Sequence, residues 1–136
     1  MAALFNFEVH TPYRLFFSGM AEVITLTLAD GDIGVYAHHS PFIAPSVTCI
    51  LRIKDWKGNW RNAFVAAGIL EVKDHKNVLI VDAAEWPEEI DRERALKSKQ
   101  EAEKNLSVAH LKFQVDHEKA KLRRAEYRLK VLDGKV

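Results

Sequence analysis

Cysteine is nearly absent from this chain: its 136 residues include one, Cys49. A single thiol makes no internal disulfide and no cysteine-based zinc site. Its neighbours Val47, Ile50 and Leu51 predict a small buried hydrophobe rather than a reactive group. Charge of one sign is also missing, since 20 lysines and arginines oppose 19 acids for a net +1. No bulk field therefore draws the chain to nucleic acid or to a membrane surface. Long apolar runs are lacking, and the stretch 63–70 falls far short of the roughly 18 residues that suggest a membrane span. The opening Met-Ala-Ala-Leu-Phe-Asn-Phe-Glu has neither the basic and apolar regions of a secretory signal nor the arginines of a transit peptide. Together these absences imply a soluble intracellular protein that reaches a membrane only through a partner.

Recognisable catalytic chemistry is equally scarce. The six histidines are scattered, and no two share a helix face beside a glutamate at metalloprotease spacing. His38 and His39 are neighbours that an extended backbone turns to opposite faces. No Gly-Lys-Ser/Thr follows the glycines of 31–34, and no serine or cysteine sits in a nucleophile elbow. Neither a catalytic residue nor a metal ligand is expected.

What is present divides the chain near Pro87 into an expected β domain, 1–87, and an expected helical domain, 88–136. In the first, Phe5, Phe7 and Val9 alternate with small or polar neighbours, and Ile24, Leu26 and Leu28 alternate with Val23, Thr25 and Thr27. Further strands are expected at 34–36, 46–54, 60–66, 69–74 and 77–83. Turn formers at 29–32, 57–59 and 74–77 separate them. Many short strands at regular spacing, with Val78-Leu79-Ile80-Val81 apolar on both faces, predict two packed sheets around one core.

From Arg92 to Val131 glycine and proline vanish while Ala, Glu, Lys, Leu and Arg dominate, which predicts helix. Asp91 reads as the N-cap, Gly134 as the terminator, and 107–110 as the break that folds two helices into an antiparallel hairpin. The expected facing stripes, Ala95, Ser98, Ala102, Leu106 and Ala109 against Leu122, Ala125, Leu129 and Leu132, are small-residue rich. At about 0.8 kcal/mol per buried methylene they supply little docking energy, as suits an element that changes position.

Three features can carry binding. The first is Gly31-Asp32-Ile33-Gly34-Val35-Tyr36-Ala37-His38-His39-Ser40-Pro41, in which Asp32 and His39 are expected exposed at one end of the sandwich. The second is a cationic sector of the last helix: Lys119, Lys121, Arg123, Arg124, Arg128 and Lys130. Macrodipole compensation accounts for only part of that density. The third is Ile90-Asp91-Arg92-Glu93-Arg94-Ala95 at the junction, where an N-cap alone would justify Asp91.

With Val9-His10-Thr11-Pro12 and Gly68-Ile69-Leu70-Glu71-Val72, the first and third features stand in an order that resembles the epsilon subunits of bacterial F-type ATP synthases over nearly the whole chain. The resemblance implies a non-catalytic rotor subunit, peripheral to the cytoplasmic face of the bacterial inner membrane. Its implied partners are the gamma subunit and the c-ring, met through Asp32, His38, His39 and Pro41, and the alpha and beta subunits, met through the basic helix. The family more often carries Glu at the position of Asp32 and Gly at that of His38. It also implies a regulatory ATP site at Glu85, Ile90, Asp91, Arg94, Ala95, Arg124 and Arg128. Glu101 stands where ATP-binding members have an arginine, so weak binding or none is expected. No other cofactor is expected. Rival readings are a free-standing ATP-sensing module and a nucleic-acid-associated factor. The second would need a basic groove with interleaved aromatics, whereas most aromatics here fall at alternating core positions.

Overall fold

The computed structural model describes residues 2–134; Met1, Lys135 and Val136, at the ends of the two expected domains, lie outside the described residues. The chain divides into two compact units between Trp86 and Pro87.

The first unit is a β-sandwich of nine strands: β1 (Phe5–His10), β2 (Leu15–Leu28), β3 (Gly31–Tyr36), β4 (Phe42–Ser46), β5 (Cys49–Asp55), β6 (Trp60–Val65), β7 (Gly68–Lys73), β8 (Lys76–Val81) and β9 (Ala84–Glu85). β2 holds it together. Its first half pairs antiparallel with β1, and its second half pairs with β3 on one edge and β5 on the other. One layer thus runs β2–β1–β8–β7–β4 and the other β3–β2–β5–β6–β9. β1 and β8 lie parallel, the one such pairing among the described residues. The inward residues follow the period-two pattern, with Phe7, Val9, Ile24, Leu51, Ile53, Leu70 and Leu79 at most 1% exposed. Cys49 is buried among them, and its Sγ accepts a hydrogen bond from Thr27 N at 3.4 Å.

One expected strand divides in two. The run 46–54 breaks at Val47-Thr48, so that β4 ends at Ser46 and β5 begins at Cys49. β4 was hidden by Pro45, which has no amide proton to give a ladder. Its carbonyl is used instead, accepting from Ala29 N at 3.0 Å. The unit closes at Trp86, which stacks on Phe16 with ring centroids 4.3 Å apart and lies under the Arg61 guanidinium at 3.6 Å.

The second unit holds a 3-10 turn (Pro87–Glu89) and two helices, α1 (Arg92–Val108) and α2 (Lys112–Leu132). Asp91 Oδ1 accepts from Arg94 N at 3.2 Å, the expected N-cap. Gly134 takes φ of 69°, a left-handed conformation that glycine adopts cheaply at a helix end. Three cross-links set the antiparallel register: Arg92 to Asp133 (2.8 Å), Glu101 to Lys121 (3.2 Å) and Asn105 to Glu118 (3.2 Å). The seam is as small as expected. Ala95, Ala102 and Ala125 are buried, joined by Val131.

Candidate functional site

Among the described residues β3 pairs with β2 alone and leaves its other edge open. Alternation turns Ile33 and Val35 inward and Asp32, Gly34 and Tyr36 outward, with Tyr36 61% exposed. Asp32 accepts a hydrogen bond from Thr27 Oγ1 at 2.6 Å, across the ladder. His38 and His39 follow the far end of the strand. Asp32 and His39 therefore do not share one end of the sandwich, contrary to expectation. A strand rises about 3.3 Å per residue, so roughly 13 Å of strand separates Asp32 from Tyr36, and His38 lies in the turn beyond it. The turn expected at 29–32 tightens to Ala29-Asp30, and that lets Gly31 and Asp32 enter the strand. His39 packs edge-on against Phe42, 5.2 Å between centroids, and its Nδ1 lies 2.8 Å from the Ser40 carbonyl.

A second surface had no assigned role in the sequence. On the outer face of β4, β7 and β8, Ile43, Ile69 and Ile80 are 67%, 51% and 57% exposed. Ile69 sits opposite Pro45 on one side and Ile80 on the other. With Pro12 and Val78 they line an apolar groove of about 670 Å³. The sequence signal for it is the double-sided apolar run in β8, which predicts a second sheet and equally fits an exposed apolar face. Its inner members Leu79 and Val81 do enter the core, while Ile80 faces outward.

In the helical unit the six cations do not form one sector. Lys119, Arg123 and Lys130 fall at i, i+4 and i+11 and are exposed; Lys121, Arg124 and Arg128 fall at i, i+3 and i+7 and are half-buried. Arg123 and Lys130 lie over the Tyr127 ring at 4.9 and 4.5 Å. Lys121 is paired with Glu101.

The residues expected to hold ATP divide between the two units. Asp91 and Arg94 share the first turn of α1, Ala95 is buried, and Arg124 and Arg128 share one face of α2. Glu85 belongs to the sandwich, paired with Phe64 on β6. The Asp91 carboxylate already serves as the cap. A groove of about 370 Å³ in this unit is lined by Arg92, Leu96, Lys99, Leu129 and Lys130 among others, none of them in the expected ATP set. No helix of the described residues is long and apolar enough to cross a membrane.

Comparison with known proteins covers both units. A family model described as ATP synthase, Delta/Epsilon chain, beta-sandwich domain matches residues 4–87. Another, described as ATP synthase, Delta/Epsilon chain, long alpha-helix domain, matches residues 88–133. An ATP synthase epsilon chain of Caldicellulosiruptor bescii is 45% identical over 131 residues, 96% of this chain and 95% of that one. Among solved structures, a chain of the Euglena gracilis mitochondrial ATP synthase (OSCP/F1/c-ring, rotational state 1) superposes with a TM-score of 0.81 at 20% identity, covering 98% of this chain and 82% of that chain. A chain of the Tetrahymena thermophila mitochondrial ATP synthase central stalk and c-ring gives 0.63 at 15% identity, covering 96% and 98%. At these identities the two structures speak for the fold alone.

Proposed function

Because the chain belongs to the epsilon-chain family of bacterial F-type ATP synthases, we propose that it works as a non-catalytic rotor subunit of that enzyme, coupling c-ring rotation to gamma through its sandwich and restraining ATP hydrolysis through its hairpin. The observation that carries the coupling role is the exposed isoleucine groove on β4, β7 and β8. Three adjacent outward isoleucines form an apolar surface of the kind that marks an interaction site. Gamma is its assigned occupant. The open edge of β3, from Asp32 through Tyr36 to the His38–Pro41 loop, is assigned to the polar loops of the c-ring. That contact spans the length of the strand rather than one corner of it.

The restraining role rests on the hairpin's small-residue seam and its two cationic faces. A seam of alanines costs little to leave, so the helices can extend toward acidic segments of alpha and beta. Regulatory ATP remains a weak ligand in this reading. The assembly joins the chain to the cytoplasmic face of the inner membrane.

Size-exclusion chromatography with purified gamma tests the coupling role. The wild-type chain should co-elute at micromolar concentration, and a double Ile69→Glu, Ile80→Glu variant should not, while its circular dichroism stays unchanged. Separate elution of the wild-type proteins would sink the rotor reading.

A further inference from the structure

His38 and His75 bring two imidazoles together from separate loops. Their ring centroids are 5.9 Å apart and their planes stand at 87°. His38 lies between β3 and β4, and His75 in the turn between β7 and β8. Both take positive φ, 66° and 64°, in the left-handed region that most side chains avoid and glycine occupies freely. Two such residues facing each other is a costly arrangement for turns that glycine would serve. The His75 turn is held in place by its carbonyl, which accepts from Asn6 N at 3.0 Å. Both side chains are exposed, and neither ring has a hydrogen-bond or ion-pair partner among the described residues.

We propose that His38 and His75 form a two-imidazole binding site for a divalent transition ion of the zinc, nickel and copper class. Zinc sits about 2.0–2.1 Å from each histidine nitrogen, so two imidazoles sharing one tetrahedral ion hold their centroids roughly 5–6 Å apart. The observed separation falls in that range before any rotamer changes. Neutral imidazole suits these ions, whereas magnesium and calcium require oxygen ligands. Among the described residues no three His, Cys, Asp or Glu side chains converge, so water fills the remaining positions and the ion exchanges readily. The neighbouring cation Lys76 is turned to Glu8, at 3.3 Å. A bound ion would pin the loop that carries His39 and Pro41 to the β7–β8 turn, and so stiffen one end of the β3 edge.

Calorimetry of the full chain with zinc chloride, repeated with nickel chloride in a non-coordinating buffer near neutral pH, tests the site. One ion per chain should bind at micromolar concentration. His38→Gly and His75→Gly should each weaken binding at least about tenfold, because each removes one of two protein ligands. Glycine accepts the backbone conformation, so both variants should melt at or above the wild-type temperature without metal. His39→Gln should bind as the wild type does. No uptake below millimolar metal, or wild-type affinity in either glycine variant, would overturn the proposal.

Discussion

Lys121 Nζ lies 3.2 Å from Glu101 Oε2, an ion pair that crosses from α2 to α1 in the middle of the hairpin. Two residues from different assigned roles thus share one contact. Glu101 is the acid expected to weaken ATP binding, and Lys121 is one of the six cations expected to serve the inhibitory helix. Both partners are partly exposed, at 35% and 51% for Lys121 and Glu101, so the pair contributes at most about 1 kcal/mol. It sets register more than it sets stability.

The pair has a consequence for nucleotide binding. Calorimetry with ATP should give no heat below millimolar ligand for the wild-type chain. Glu101→Arg removes a carboxylate and adds a phosphate partner, and should tighten binding at least about tenfold. Absence of binding in both proteins would dismiss the junction as an ATP site.

The division of cations gives a second test. Charge reversal of the exposed set, Lys119, Arg123 and Lys130, should raise ATP hydrolysis by the assembled enzyme, and added salt should shrink the difference from wild type. Reversal of Arg124 and Arg128 should instead lower the melting temperature, because these side chains are half-buried. Equal hydrolysis by the exposed-set variant and the wild type would remove those three residues from the brake. Truncation after Glu88 should release hydrolysis more fully than either set while coupling survives.

Gly68 supplies a test of the sandwich. A β-carbon there would lie 1.8 Å from the Ile80 carbonyl oxygen and 2.8 Å from Val81 Cα. Both are backbone atoms of β8, so no rotamer change relieves the clash. Gly68→Ala should cost about 3 kcal/mol in urea unfolding, near the top of the range for overpacking. A loss under about 0.5 kcal/mol would show that β7 and β8 part easily.

Acid should weaken the β1–β8 pairing. Glu8 Oε1 lies 2.8 Å from His10 Nε2, and Oε2 lies 3.3 Å from Lys76 Nζ. These contacts, His10 first and then Lys76, hold the Glu8 carboxyl below its ordinary value. A carboxylate depressed by folding adds stability above its unfolded pKa and loses it as pH falls through the folded one. The melting temperature should therefore drop on acidification below the ordinary carboxylate range, and Glu8→Gln should flatten that drop. Identical acid profiles for the two proteins would assign the acid sensitivity elsewhere.

Local pattern determined much of this protein. Period-two alternation marked the core residues Phe7, Ile24 and Leu26, and the loss of glycine and proline after Pro87 marked two helices with their cap at Asp91. The sorting of six cations onto two faces was also legible, since a 3.6-residue period dictates it, but their density disguised it. Tertiary structure decided the rest. β4 became visible only through its pairing with β7, because Pro45 weakens every local strand signal. Which side of Val78-Leu79-Ile80-Val81 meets the core depends on which strands flank β8. The approach of His38 to His75 depends on β3 ending beside the start of β1, and Glu101 meets Lys121 only in one hairpin register. Such contacts join residues far apart in the chain, and the path of the chain through three dimensions selects them, whereas periodicity constrains only residues within a few positions of one another.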